Sequence, residues 1–568
     1  MTAPVVSDLP YRIRKVKCDE GKPSCQRCLT TGRVCDGYGI WGGGNKYENR
    51  ITTKKHLETP IEHRPLIRIV GANVKQRMCF EWFVLRTAPK LPAAFSSAFW
   101  QTLVFQASVS ETAVFHATVA LSSAHAQLPP SGTTPGVNMK SNPDEDECFM
   151  LQQYGRAIGN LQPHLTSGTQ SSVRVTLISC LLFVCLECLR GHYRSGIFHL
   201  ESGLKLLSSS HLAAMGAGIV AKNSWDFADY WIAETFSRLH MSAALFGQIS
   251  TVFYPLVPSI ELPSHYFCSV NEARHCLDEL IVRILHLTSE ARQPEKCSKS
   301  QIKIQEQIRS DLCLWKKLHA ASKPRLAEHW SLLESFAYGL LETYSIMAEI
   351  MAGTCLESNN ESIFDNYNDR FKFLLEQAIP RFKIALQEEE VKKISPTHVQ
   401  GGNKSVCDMG SIPPIYYVAM KCRDHFIRLQ ALKLLRLLSH AETVWRAEIA
   451  VCVAEEVMRI EEADFYRDFD LTEDVSSFTL PVPTGSSIPP LPDINRIRRV
   501  LVSLPNGDDD NCVIECQLAR SDAVGSGRLT REYDAKTKRW FTTSKRPVGP
   551  IAGYNLFILR TPIGDTRQ

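Results

Sequence analysis

Among 568 residues, the usual catalytic signatures are missing. No G-x-x-x-x-G-K-[ST] phosphate loop, G-x-S-x-G elbow, H-E-x-x-H pair or strand-led G-x-G-x-x-G occurs. Histidines such as His116 and His125 fall on helical faces, where a packed or solvated imidazole is the ordinary case, so no enzyme is expected. Long hydrophobic runs are missing too. The strongest covers residues 175–186 and is followed by Glu187 and Arg190, too short for a bilayer and read as a buried helix. No apolar N-terminal stretch precedes a cleavage-like site, so secretion is not expected. Alternating β-type runs are nearly lacking before residue 512. No sustained heptad interrupts the Gly-rich stretch after Asp36, which excludes a coiled coil there.

What the chain does have is concentrated near its start. Cys18, Cys25, Cys28 and Cys35 are spaced C-x6-C, C-x2-C and C-x6-C. Four soft thiolates at this separation can wrap one tetrahedral metal ion, for which zinc is the expected choice. The Asp19-Glu20-Gly21-Lys22-Pro23-Ser24 loop is polar and turning. A segment this small cannot bury enough apolar surface to fold alone, so metal binding would supply its folding energy. Clustered free thiols or disulfides are the bland readings, and the spacing favours metal over both. The other fifteen cysteines are scattered from Cys79 to Cys516 and read as small core hydrophobes. That includes Cys185 and Cys188, a C-x2-C pair inside a helical apolar pattern.

The segment R-I-R-K-V-K-C-D-E-G-K-P-S-C-Q-R-C-L-T-T-G-R-V-C-D-G-Y, residues 12–38, resembles the DNA-binding domain of the fungal zinc binuclear cluster transcription factors. In that family six cysteines hold two zinc ions and a short helix enters the major groove. By the family's spacing the first two cysteines would stand at Asp8 and Tyr11. Tyr11 is a poor ligand, and thiolate bridging from the first position is lost. Agreement begins abruptly at Arg12. Two explanations stay open: a wrongly placed first exon, or genuine loss that leaves one zinc or no stable cluster. The resemblance implies that Arg12, Arg14, Lys15 and Lys17 lie on the first turns of the recognition helix. Lys15, three residues before Cys18, would read the guanine of a CGG triplet, with Arg14 and Lys17 flanking it on bases or phosphates. A solvated charge run or a nuclear import signal is the plainer alternative.

Charge supports a terminal polyanion contact. Residues 11–55 hold eleven basic and four acidic residues, a net of +7, in a chain whose total is +4, so residues 56–568 are slightly acidic. The expected organisation is a zinc-cluster module over 11–38, a flexible linker over 39–74, a helical body over 75–503 and a C-terminal tail over 504–568. The fold class is mostly α. Helices are expected near 110–128, 173–190, 193–208, 232–246, 271–290, 303–320, 327–353, 361–387, 414–437 and 442–463, the first of them capped at Ser110 and amphipathic. Phe99-Trp100, residues 181–191, His199-Leu200-Glu201-Ser202-Gly203 and residues 236–247 resemble, in that order, the family's fungal-specific regulatory domain.

Residues 461–474 mix acids with aromatics. They read as a solvated helix end, or less readily as an activation segment that recruits coactivators. Residues 528–533 and 538–543 read as a β-hairpin. Together these features imply a nuclear regulator of transcription. Its partners would be promoter DNA, a second copy of the chain and the transcription machinery, with no membrane, and its targets a metabolic or secondary-metabolite gene cluster. The alternative is a regulator that no longer binds DNA and acts through protein contacts of the helical body.

Overall fold

The computed structural model describes residues 71–126, 143–167, 169–216, 227–248, 261–292, 298–328, 330–357, 360–387, 405–438, 440–469, 478, 488–519 and 527–544. These residues form a helical body with a small antiparallel sheet against it. In chain order the helices are α1 Val74–Trp82, α2 Val104–Ser110, α3 Thr112–Ala126, α4 Pro143–Ser167, α5 Gln170–Leu189, α6 Tyr193–Gly216 and α7 Phe227–Leu245. They continue with α8 Val270–Ala291, α9 Lys299–Ala327, α10 Leu332–Thr354, α11 Asn368–Gln387, α12 Ile412–Lys421, α13 His425–Leu437 and α14 Ala447–Glu462.

Local chemistry sets most starts. Asn73 and Gln76 form a reciprocal capping box at α1, Ser298 with Gln301 does so at α9, and Ser331 with Glu334 at α10. Thr169, Ser269 and Asp424 each accept a backbone N–H in the first turn of α5, α8 and α13. At α3 the expected cap is not made: Ser110 is the last residue of α2 and donates to Ala107 O, while Glu111 O accepts from Phe115 N at 2.9 Å. Nor is α3 amphipathic. It is buried almost all round, from Ala113 to His125.

α3 packs on α4 and α5, and α5 on α6. α5 is long and apolar enough to cross a bilayer, but most of it lies inside this body. α8, α9 and α10 pack on one another, as do α12, α13 and α14. One continuous apolar core runs from Phe83 through these layers to Cys516 in the sheet.

The two-residue strands β1 Ser405–Val406, β2 Ala441–Glu442 and β3 Trp445–Arg446 make a small patch in which β1 runs parallel to β2. The expected hairpin is β6 Arg528–Asp534 with β7 Arg539–Thr542, and it belongs to a larger meander. β4 Ile497–Ser503 and β5 Cys512–Leu518 complete the order β4-β5-β6-β7, so the sheet starts ahead of residue 504. Its inner face carries Val502, Cys512, Ile514 and Cys516 into the core. Arg531 donates to Glu456 of α14 at 2.7 Å. The β4–β5 turn docks on the α5–α6 turn, where Gly507 N donates to Gly191 O at 3.1 Å. These ties give the strands the support that a lone hairpin lacks.

Candidate nucleic-acid interface and the charge clusters of the body

Arg12, Arg14, Lys15, Lys17, Cys18, Cys25, Cys28 and Cys35 all lie outside the described residues. Their chemistry rests on the donor set itself. Four thiolates satisfy one tetrahedral zinc, whereas a two-ion cluster needs six with two of them bridging. The residues present therefore fit one ion and do not complete the second. Among the described residues no group of three or more His, Cys, Asp or Glu side chains is arranged to hold a metal.

The described chain enters the body at Gly71, whose φ of +86° glycine adopts without strain, and passes through the Asn73 cap into α1. There Val74, Met78, Trp82 and Leu85 recur at helical spacing with at least 39% of each exposed. They form an apolar stripe on the element next to the linker.

Deeper in, three buried polar clusters hold the helices together. In the first, Arg238 of α7 donates through Nε to Asp408 at 2.8 Å and through its terminal nitrogens to Asp408 and Asp278. Arg274 of α8 donates to Glu234, which also lies 2.5 Å from His275 Nε2. Both guanidinium groups stand over the Phe95 ring, at 5.3 and 5.1 Å. Burial would raise the Glu234 carboxyl, yet the His275 hydrogen bond and the Arg274 charge hold it at about 2. For Asp278 burial wins over Arg238 and Arg274, and its carboxyl is pushed up.

The second cluster joins the α12–α13 corner, the end of α14, a 3₁₀ turn at Glu361–Tyr367 and the start of β4. Arg423 lies 2.9 Å from Glu461 and 3.0 Å from Glu361, and Arg428 lies 2.7 Å from Glu461. Lys421 donates to Glu361 at 2.8 Å, and Arg496 pairs with Asp365 at 2.7 Å. Glu461 also accepts the backbone N–H of Ile497 at 2.8 Å, which fastens the first strand. Burial acts to raise the Glu461 carboxyl, but Arg423 and Arg428 hold it down at about 2. This overturns the solvated reading of the α14 end. Glu461, Glu462 and Tyr466 are buried, His425 lies 2.9 Å from Glu462, and within 461–469 only Ala463, Asp464 and Arg467–Phe469 are exposed. Residues 470–474 lie outside the described residues.

The third cluster is smaller. Glu442 accepts from Gly410 N at 2.7 Å and Ile412 N at 3.2 Å, at the start of α12, and lies 2.6 Å from His440 Nε2. Beside it a cavity of about 10 Å³ is lined by Thr87, Leu91, His125, Cys185, Cys407 and Thr443, among others. It has room for about one water and none for a metabolite. Sequence reasoning missed all three clusters. The one local signal was charge on the apolar side of α14, at Glu456 and Glu461.

Two domain families match the chain. The fungal Zn(2)-Cys(6) binuclear cluster domain, a zinc-binding one, matches residues 12–40, and the fungal specific transcription factor domain matches residues 79–357. The chain is similar to the "Transcription regulator lscL" of Purpureocillium lilacinum, 29% identical over 213 residues, which are 35% of this chain and 48% of that protein. It is also similar to the "Aspercryptin biosynthesis cluster-specific transcription regulator atnN" of Emericella nidulans, 28% identical over 225 residues, 36% of this chain and 35% of that protein. The matches thus span less than half the length of either relative. No solved structure matches. Domains and relatives alike belong to transcription regulation and not to catalysis. With a zinc-cluster segment followed in order by the regulatory domain, the chain belongs to the fungal Zn(2)-Cys(6) transcription factors.

Proposed function

We propose that the protein is a nuclear, sequence-specific DNA-binding regulator of transcription. The observation that carries this is the basic run at Arg12, Arg14, Lys15 and Lys17 set directly before Cys18, Cys25, Cys28 and Cys35, in a chain that is otherwise slightly acidic. The four cysteines hold zinc and fix the module over 11–38. Lys15 reads a CGG-type site, with Arg12, Arg14 and Lys17 on neighbouring bases and phosphates. The linker over 39–74 carries the module on the helical body, which pairs with a second copy and contacts the transcription machinery. The exposed stripe of Val74, Met78, Trp82 and Leu85 supports that pairing. One relative is named for a biosynthesis cluster, and control of a secondary-metabolite gene cluster is the pathway class proposed here.

A second reading has its own observation. Asp8 and Tyr11 stand where the family's first two cysteines belong, so the chain as written lacks the ligands that anchor the N-terminal side of the recognition helix. On that reading it regulates through protein contacts alone. One experiment separates the two: zinc content of the purified full chain by mass spectrometry, with gel shift of a CGG-containing duplex against a scrambled one across salt. Bound zinc with a CGG-dependent, salt-sensitive shift supports DNA reading. A metal-free protein that shifts neither duplex sinks it.

A further inference from the structure

Cys185 lies near the C-terminal end of α5 and is fully buried. Cys188, one turn on, packs under Gly196 of α6, where an added Cβ would come 2.9 Å from its sulfur. In sequence this C-x2-C pair has no partner. The fold supplies one, because Cys407, just after β1, reaches the Cys185 side chain within hydrogen-bonding contact and lies close to Cys188. All three thiols line the small cavity beside Thr443. They do not surround a common point as metal ligands would. Of the three only Cys407 reaches the surface, being partly buried where the other two are buried.

The surroundings hold Cys407 in this position. Its N–H donates to Leu91 O at 2.8 Å, and Thr443 N donates to Val406 O at 2.8 Å. Thr443 is a β-branched residue at φ +58°, a left-handed conformation of the kind that persists only when its surroundings enforce it. Its buried hydroxyl faces the cavity without a hydrogen-bond partner.

We propose that Cys407 and Cys185 form a reversible disulfide when the protein meets a peroxide, so that the joint between α5 and residues 405–410 is redox-sensitive. The Cys407 sulfur, as the accessible thiol, attacks one oxygen of hydrogen peroxide. The O–O bond breaks, the sulfur keeps that oxygen as a sulfenic acid, and the other leaves as water with the thiol proton. The Cys185 sulfur then displaces the hydroxyl. The S–S bond forms as the S–O bond breaks, and the Cys185 proton leaves with the hydroxyl as a second water. Burial pushes the Cys185 thiol up, so Cys185 is not the thiol that meets peroxide first, and its part in the second step rests on its place beside Cys407 in the cavity. A dithiol reverses the change. The covalent tie would be felt next door, since Asp408 holds Arg238 and Gly410 O accepts from Tyr344.

The test uses the full chain, treated with hydrogen peroxide without denaturant, then alkylated and mapped by mass spectrometry without reduction. Expected is a cross-link between the Cys407 peptide and the α5 peptide, with the loss of two alkylatable thiols, restored by dithiothreitol. Cys185→Ser should leave a Cys407 sulfenic acid that dimedone traps, Cys188→Ser should keep the cross-link, and Cys407→Ser and Cys407→Ala should abolish it. The proposal is overturned if the cross-link survives Cys185→Ser, if it is lost only with Cys188→Ser, or if peroxide yields no cross-link between the Cys407 peptide and the α5 peptide.

Discussion

Glu461 at the end of α14 and Arg423 at the α12–α13 corner meet at 2.9 Å with both side chains cut off from solvent. A pair buried to this degree is costly to break from one side, because the remaining charge keeps its desolvation penalty without its partner. Glu461→Gln leaves Arg423 and Arg428 short of one negative charge and weakens the acceptor for Ile497 N. The expected loss is ~3–5 kcal/mol, read as a lower urea midpoint at unchanged slope. Replacing the exposed pair Arg436 and Glu455 should change stability by less than ~1 kcal/mol.

The same carboxylate gives the protein an acid-sensitive term. Glu461 and Glu234 are each held at about 2 in the folded chain, below the ordinary 4.5. The unfolded chain therefore binds more protons between these values, and stability is present above about pH 4.5 and lost as pH falls towards 2. Asp278 shifts upward and offsets part of this. Thermal midpoints measured from pH 5 to pH 2.5 should fall steeply, and Glu461→Gln should flatten the slope.

Histidines extend the effect to milder acid. His319 lies stacked between Trp315 and Tyr338, with ring centroids at 4.7 and 3.8 Å, and burial lowers it to about 4. Burial lowers His240 to about 3. Both are neutral when folded and take up a proton when unfolded, so stability begins to fall below pH 6.5, by at most about 1.4 kcal/mol per pH unit for each. His319→Gln should remove its share of the slope between pH 6.5 and 4 in a series of urea titrations.

How far the sequence foretold these features depends on how local each signal is. The apolar run of α5 announced a buried helix because every face of it is filled. α3 misled, since its Ala, Ser and Thr residues fit any side of a helix and gave a false stripe. α4 is faint in the sequence, since Gly155, Gly159 and Pro163 argue against a helix. Yet Pro143 followed by Asp144, Glu145 and Asp146 is the start signal its dipole calls for. The corner between α12 and α13 hid in a continuous apolar pattern, although Asp424 stood ready as a cap. β4 escaped because a register shift between Ile497 and Arg499 breaks its alternation. The charge clusters join residues far apart in sequence, which no periodicity records. The four cysteines were legible because metal ligation imposes its own spacing.

Close packing makes Gly203 of α6 irreplaceable in the present core. A Cβ there would overlap the ring of Phe236, which is fully buried on α7. Gly203→Ala should cost ~1–3 kcal/mol through this overlap. Phe236→Leu alone should also destabilise, by about 1 kcal/mol. In combination the two should be less harmful than their sum, because the smaller side chain makes room for the methyl group. Denaturant titration of the two single variants and the double variant gives the coupling energy. Simple additivity would mean that ring and glycine are not in contact.

Metal and fold should separate in solution. The core from Phe83 to Cys516 is apolar and continuous, and among the described residues no cluster suits a metal ion, so the body is expected to hold its fold by packing without metal. The module that would hold zinc through Cys18, Cys25, Cys28 and Cys35 is too small and polar to stay folded without it. A strong chelator should therefore abolish any CGG-dependent gel shift while leaving the helical circular dichroism and the main thermal transition of the full chain unchanged. Lys15→Ala, with zinc retained, should reduce the preference for CGG over a scrambled duplex by ~1–3 kcal/mol if Lys15 meets guanine. If Lys15 meets only phosphate, both duplexes should weaken alike and the salt slope should drop by about 1. A thermal midpoint that falls on chelation would place a metal in the helical body, against the packing described above.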